Sequence, residues 1–189
     1  MHVSGNLVLG GNMDDGPLVL GEELAVNKGG GQFVMMLDKK GAIVWSDVVL
    51  NRKKSCCSSF TEGYNISVSP DGQVYMLGTY MEGGIFSNGQ QFIAPVNYSA
   101  DKNNRSYETF LTAYDEEGKL LWIQTVGSKS RSQGIVASSE GVYINHINYG
   151  NESFGKKVDT TGMTSNILSF FTADGKLRYN KILPVTSIA

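Results

Sequence analysis

Phe110-Leu-Thr-Ala-Tyr-Asp-Glu-Glu-Gly118-Lys-Leu-Leu-Trp122 is the stretch that decides the fold. It reads as a short apolar strand, a polar turn closing on glycine, a second strand, and an aromatic four residues past that glycine. The glycine has a steric reason: a tight hairpin needs a residue at positive φ, which Gly reaches without a Cβ clash. The same design returns in Phe33-Val-Met-Met-Leu-Asp-Lys-Lys-Gly41-Ala-Ile-Val-Trp45 and in Ile167-Leu-Ser-Phe-Phe-Thr-Ala-Asp-Gly175-Lys-Leu-Arg-Tyr179. Three copies of one unit mark a repeat, and a repeat fixes the architecture before any local propensity does.

Working outward, a second hairpin precedes the later two copies. Tyr64 to Tyr80 is two alternating strands around Pro70-Asp71-Gly72, and Gly134 to Ile147 repeats the arrangement around Glu140-Gly141. The first copy keeps only the second half, around Leu7 to Gly10. With the four strands of a unit labelled A to D, the chain reads BCD, then ABCD, then ABCD. Gly21 to Trp45 aligns without gaps on Gly155 to Tyr179, and the middle copy carries an insertion near Ala94 to Ser106.

Strands at short spacing with turn signals between them, and no long amphipathic helix, predict an all-β chain. Tandem four-stranded units that cannot bury both faces alone point to a segment of a β-propeller with about three antiparallel blades, blade one lacking its first strand. Blade one spans 4–50, blade two 61–126, blade three 133–183, and 184–189 form a tail. A β-sandwich is the competing arrangement, but it does not explain three returns of the same unit. Trp45, Trp122 and Tyr179 are expected at equivalent places on strand D, between adjacent blades or at the blade end. Gly41, Gly118 and Gly175 are expected to close the C–D turns. An open arc of under three blades leaves apolar flanks. The expectation is therefore that the rest of a longer chain or self-association of copies supplies the missing blades.

Composition sets outer limits. The chain has 189 residues, 41% hydrophobic and 18% charged, which is the profile of a globular protein with a real core. A net charge of −2 gives no global attraction to nucleic acid. No run approaches the ~18 apolar residues of a membrane helix, and Met1 to Leu9 does not read as a signal peptide. The two cysteines, Cys56 and Cys57, are adjacent and can staple no distant segments, so they leave the redox compartment open.

The blade pattern also resembles the bacterial SBBP-type β-propeller repeats. The resemblance rests on Phe86-Ser-Asn-Gly with Tyr114-Asp-Glu-Glu-Gly-Lys-Leu-Leu-Trp122, and on Phe154-Gly-Lys-Lys with Gly175-Lys-Leu-Arg-Tyr179, and covers nearly the whole chain. Tyr179 departs from the pattern's Trp, and Thr172 stands where Asp38 and Asp115 stand. The resemblance implies a secreted or envelope-attached protein and no single activity. Quinoprotein repeats share the turn and docking Trp more weakly, because the B–C connections here are long, as from Met81 to Tyr107.

Candidate chemistry is sparse. His2 is terminal, and His146 reads as a half-buried strand residue, so no Ser/His/Asp set assembles. Asn12-Met-Asp14-Asp15-Gly16 lacks the later acidic positions of a calcium loop, and no cofactor is expected. Gly29-Gly30-Gly31 precedes a strand and offers no helix N-terminus for phosphate. Asp38 and Asp115 read as turn caps. Asn65, Asn97, Asn104 and Asn151 begin Asn-x-Ser sequons that matter only in a eukaryotic secretory pathway.

Topology ranks the surface. The A–B and C–D turns are short and share one end, whereas every long connection lies at the other end: Gly11 to Gln32, Asn51 to Gly63, Met81 to Tyr107, Gly127 to Gln133 and Tyr149 to Asn166. Binding function concentrates on loops carried by a rigid scaffold. Arg52, Lys53, Lys54, Lys129 and Arg131, with Tyr98, Arg105 and Tyr107, are therefore the candidate patch for an acidic or sugar ligand. Asp14, Asp15, Glu82, Asp101 and Glu152 at the same end oppose it. These features predict a non-catalytic binding or scaffold module with a protein or glycan partner, and the SBBP resemblance implies that it belongs to a bacterial envelope or extracellular protein. The alternative is part of a propeller enzyme, quinone-dependent or carbohydrate-active, whose site needs further blades.

Overall fold

A computed structural model describes residues 4–13, 18–20, 23–26, 31–52, 64–81, 84–87, 89, 91–92, 107–158 and 164–184. The described residues are all-β. From the first copy come β1 (Leu7–Met13), β2 (Leu18–Leu20), β3 (Glu23–Val26), β4 (Gly31–Leu37) and β5 (Ile43–Arg52). The second gives β6 (Tyr64–Val68), β7 (Val74–Met81), β8 (Gly84–Phe86), β9 (Gln91–Phe92), β10 (Tyr107–Tyr114) and β11 (Leu120–Thr125). The third gives β12 (Ser130–Ser138), β13 (Gly141–Asn148), β14 (Glu152–Ser153), β15 (Lys156–Lys157), β16 (Ser165–Thr172) and β17 (Leu177–Leu183).

The A-B-C-D order of the repeat is the order of the sheets. The second sheet runs β6-β7-β10-β11 and the third β12-β13-β16-β17, each antiparallel throughout. The first runs β1-β4-β5 and continues into β8-β9, while β2–β3 and β14–β15 are separate hairpins. That continuation was not legible in the repeat: β8, from the B–C connection of the second copy, pairs with the end of β5 through Leu50 opposite Phe86. The third copy makes the matching reach, with Phe154 N–H donating to the Val126 carbonyl at 2.9 Å. Both phenylalanines of the sequence pattern thus mark where one copy grips the last residues of the copy before it. Such pairing also covers part of an otherwise open strand edge.

The three C–D turns share the same bonds. In the C–D turns, Gly41, Gly118 and Gly175 donate to the carbonyls of Asp38, Asp115 and Thr172 at 3.0, 3.1 and 2.8 Å. The three glycines have φ of 86°, 83° and 81°, the left-handed setting a side chain resists. The Asp38 carboxylate accepts from the N–H groups of Lys40 and Ala42, and Asp115 accepts from Lys119, as expected of turn caps. Those backbone donors hold the Asp38 carboxyl below its ordinary range. Thr172 fills the same place by donating its hydroxyl to the Lys176 carbonyl and to Asp174, so register is preserved.

One strand past each turn, a bulge re-aims the chain. Tyr114 faces Leu120 while Ala113 faces Trp122, leaving Leu121 unmatched; Val44 and Arg178 are the corresponding extra residues. Leu120 packs with the core between the first and second sheets, but Trp122 packs with the core between the second and third. Strict alternation would have sent both to one face. The bulge is what points Trp122 at the following sheet.

The sheets pack face to face in chain order. Val34, Met36 and Val49 of the first meet Val74, Met76, Phe110 and Tyr114 of the second. On its opposite face the second sheet sets Tyr75, Leu77 and Leu111 against Val142, Ile144 and Phe171 of the third. The middle sheet is therefore buried on both sides, and β7 and β10 are buried without a break from Val74 to Tyr80 and from Glu108 to Tyr114. A two-sheet sandwich has no such layer.

Candidate binding face

The antiparallel order places the end of β7, the starts of β10, β12 and β4, and the ends of β5 and β13 at one end of the stack. The loop-bearing end is built on buried polar groups. Glu108 is buried and its carboxylate accepts from the Tyr80 hydroxyl at 2.7 Å and from the Gly127 N–H at 2.8 Å. Burial, then the Glu108 charge, pushes the Tyr80 phenol far above its ordinary value, so it stays a donor. Glu108 thus ties the connection leaving β11 to the end of β7.

Between sheets the same end is stitched by side chains. Gln32 of the first sheet donates to the Thr79 carbonyl of the second at 3.0 Å. The Thr79 hydroxyl meets that of Ser132 in the third at 2.9 Å and accepts the Ser132 N–H at 3.0 Å. Ser130, also buried, accepts the Thr109 N–H at 2.9 Å. Buried polar groups that find partners rigidify a structure. These bonds make this end a hydrogen-bonded platform from which the connections leave.

The candidate residues divide across that platform. Lys53, Lys54, Tyr98 and Arg105 lie outside the described residues. Arg52 ends β5 opposite Gly84, and Tyr107 opens β10 opposite Met81. Lys129 does lie in the connection into β12, its ammonium 5.6 Å from the centre of the Tyr149 ring, a cation–π contact. Arg131 differs from expectation: β12 begins at Ser130, so Arg131 sits within a strand opposite Ile147. Its neighbours Ser130 and Ser132 bond to the second sheet, and alternation sends Arg131 to the opposite face. Among the described residues, Lys129 is therefore the candidate that lies in a connection, against Tyr149, which the sequence did not single out. Glu152, counted against the patch, opens β14 in the neighbouring B–C connection, where its carbonyl accepts from Ser128 and Asn148. Asp14, Asp15, Glu82 and Asp101 lie outside the described residues, as do His2, Cys56 and Cys57.

His146 is fully buried rather than half-buried. Its Nε2 lies 3.1 Å from the Ser153 hydroxyl and its ring meets Phe154 edge-on. Burial pulls the imidazole down to about 4, so it is neutral at physiological pH. Two equally buried side chains sealed by Phe154 offer a substrate no approach, and the pair anchors the β14–β15 hairpin. Among the described residues, no group of three or more His, Cys, Asp and Glu side chains could hold a metal ion. No helix among them is long and apolar enough to cross a membrane.

The expected aromatics prove to be joints. Trp45 donates its indole N–H to the Glu116 carbonyl at 3.1 Å, and Trp122 to the Ala173 carbonyl at 2.9 Å. Each acceptor belongs to the C–D turn of the next copy. Two residues on, Asp47 accepts the Tyr114 hydroxyl at 2.9 Å, and Gln124 donates to the Gly175 carbonyl at 3.1 Å. Tyr179 occupies the equivalent strand position but rests on Phe170 of its own sheet, 5.9 Å between ring centres. The carbonyl acceptors of Glu116, Ala173 and Gly175 were invisible in the repeat, because a backbone carbonyl leaves no trace in residue type. No protein-family model matches the chain, and no curated protein matches it.

Proposed function

We propose that the chain is a run of β-propeller blades acting as a non-catalytic binding or scaffold module, with its ligand face at the loop-bearing end. The observation that carries the reading is the recurrence of one joint at two successive interfaces. Trp45 to the Glu116 carbonyl and Trp122 to the Ala173 carbonyl imply the same step from each sheet to the next. Units repeated by a constant step around an axis are the architecture of a propeller. The binding role is supported by the asymmetry of the two ends. Tight turns close one, and the long connections leave from a hydrogen-bonded platform at the other. The resemblance to SBBP-type repeats supports a bacterial envelope or extracellular protein as its setting.

The test is a glycan, anion and envelope-extract binding screen with the 189-residue chain and with Lys129→Glu and Tyr149→Ser. A ligand retained by the parent and weakened by both variants supports the reading. A ligand whose affinity neither variant alters places the contact elsewhere and removes this face.

A further inference from the structure

The third copy breaks a pairing that the first two keep. Register aligns the copies: Met36, Ala113 and Phe170 face Trp45, Trp122 and Tyr179 on one side and Val8, Tyr75 and Tyr143 on the other. Three residues further along the B strand stand Gly11, Gly78 and His146, opposite Phe33, Phe110 and Ile167. In the first two copies the phenylalanine ring lies over the glycine. A Cβ on Gly11 would sit 2.7 Å from the Phe33 ring, and one on Gly78 would collide with the Phe110 ring. In the third copy the ring stands on the other strand and is an imidazole. Two ring nitrogens thus occupy a place that the repeat otherwise gives to hydrocarbon.

The facing sheet differs as well. Gln32 and Thr109 are equivalent, each four residues before the residue opposite the docking tryptophan. Gln32 crosses the first joint, donating to the Thr79 carbonyl and setting its Oε1 against Gly78. At the second joint the shorter Thr109 takes the place of Gln32, and His146 that of Gly78. Alternation puts Thr109 on the face of Leu111 and Ala113, and His146 on that of Val142 and Ile144, all of which line the core between these two sheets. Thr109 donates its N–H to Ser130, and its cross-strand partner Thr79 meets Ser132, the cross-strand partner of His146. Both side chains are fully buried. His146 Nε2 engages Ser153, but His146 Nδ1 and Thr109 Oγ1 have no hydrogen-bond partner in the protein. Native structures leave few buried polar atoms unpaired, because each one carries its full desolvation penalty.

We propose that the joint between the second and third sheets binds one internal water molecule, bridging His146 Nδ1 and Thr109 Oγ1. The chemistry selects water. Both groups are uncharged at physiological pH, so neither attracts an ion. A hydroxyl donates and accepts, and Nδ1 does one or the other according to tautomer, so a molecule that both donates and accepts satisfies the pair in either state. Internal waters are held by two to four such partners. The water does at the second joint what the Gln32 carboxamide does at the first: it carries a polar contact from one sheet to the next.

A crystal structure that resolves ordered water tests this in the parent chain, Thr109→Val, Thr109→Ser and Thr109→Gln. The parent is expected to show one density peak about 2.7–3.2 Å from both atoms. Thr109→Val keeps the shape without the hydroxyl and is expected to lose the peak, whereas Thr109→Ser is expected to retain it. Thr109→Gln is expected to displace it with a carboxamide, and Thr109→Val decides alone if the Gln variant folds poorly. Oxygen-17 relaxation dispersion reads the same event in solution, where Thr109→Val should hold one fewer long-lived water than the parent. A parent with no peak at this place, a direct bond between Thr109 and His146, or an unchanged count of long-lived waters in Thr109→Val overturns the proposal.

Discussion

The ring of Trp45 lies across Gly118, so close that a Cβ on that glycine would sit 2.5 Å from the indole. The two residues belong to different sheets. The indole stacks on Tyr114 at 5.8 Å with 20° between planes, and its N–H reaches the Glu116 carbonyl in the same turn. Gly118 thus answers two demands at once, a backbone at φ 83° and a floor for a neighbour's ring. Gly175 stands in the same relation to Trp122, while Gly41 meets only the first demand.

That difference separates two effects of one substitution. Gly41→Ala is expected to cost only the left-handed backbone term, about 1–2 kcal/mol. Gly118→Ala adds the displacement of a stacked indole, and overpacking of this kind costs roughly 1–3 kcal/mol more. Paired urea titrations check the ordering. Equal losses would mean that the Trp45 ring moves aside freely.

Trp122→Ala is expected to cost about 3–5 kcal/mol, because it empties the joint between the second and third sheets. Trp122→Phe keeps a ring but leaves the Ala173 carbonyl without its 2.9 Å donor, at about 1 kcal/mol. Tyr179→Ala, on an outer face, is expected to cost the isolated chain clearly less than Trp122→Ala. A thermal series across the three variants reads this out. A Tyr179 loss matching that of Trp122 would contradict the placement of that face.

Alkaline stability depends on buried phenols. Burial, then the Asp71 charge, pushes Tyr75 up to about 12, and burial with Asp47 drives Tyr114 well above its ordinary value. These phenols stay neutral in the fold while an unfolded tyrosine ionises near 10. Their contribution is complete below about pH 10 and is lost as pH rises beyond it. Ultraviolet titration should therefore show an exposed class ionising first and a buried class ionising only together with unfolding. A single transition near 10 with the fold intact would refute the packing of β7 and β10.

Acid acts through His146. Its folded value of about 4 lies below the ordinary 6.5, so between those limits the unfolded chain binds a proton that the fold refuses. Stability therefore falls as pH drops from 6.5 towards 4, by roughly 3 kcal/mol at most from this group. His146→Gln should flatten the unfolding free energy across that window. An unchanged slope would show that the imidazole is not desolvated.

Much of this was legible in residue types alone. The turns declared themselves through Gly41, Gly118 and Gly175, because positive φ excludes almost every other residue. The strands followed from alternation around them, and tandem recurrence supplied the A-B-C-D order that the second and third sheets adopt. Local sterics and periodicity write those features into the chain at each position. The placement of Arg131 failed for a local reason too: Ser130 and Ser132 look like loop residues until a neighbouring sheet supplies partners for their hydroxyls.

What only the tertiary structure decided lies between copies. That β8 would pair with β5, that Asp47 would take the Tyr114 hydroxyl, and that Glu108 would be buried under Tyr80 and Gly127 are contacts between segments 19 to 67 residues apart or across a sheet edge. Their partners are backbone groups, which every residue presents alike, or carboxylates and phenols whose pairing no local pattern announces. Sequence specifies a turn because a turn is closed by its own few residues. It leaves a joint unspecified because the acceptor becomes visible only when the next sheet has been laid against it.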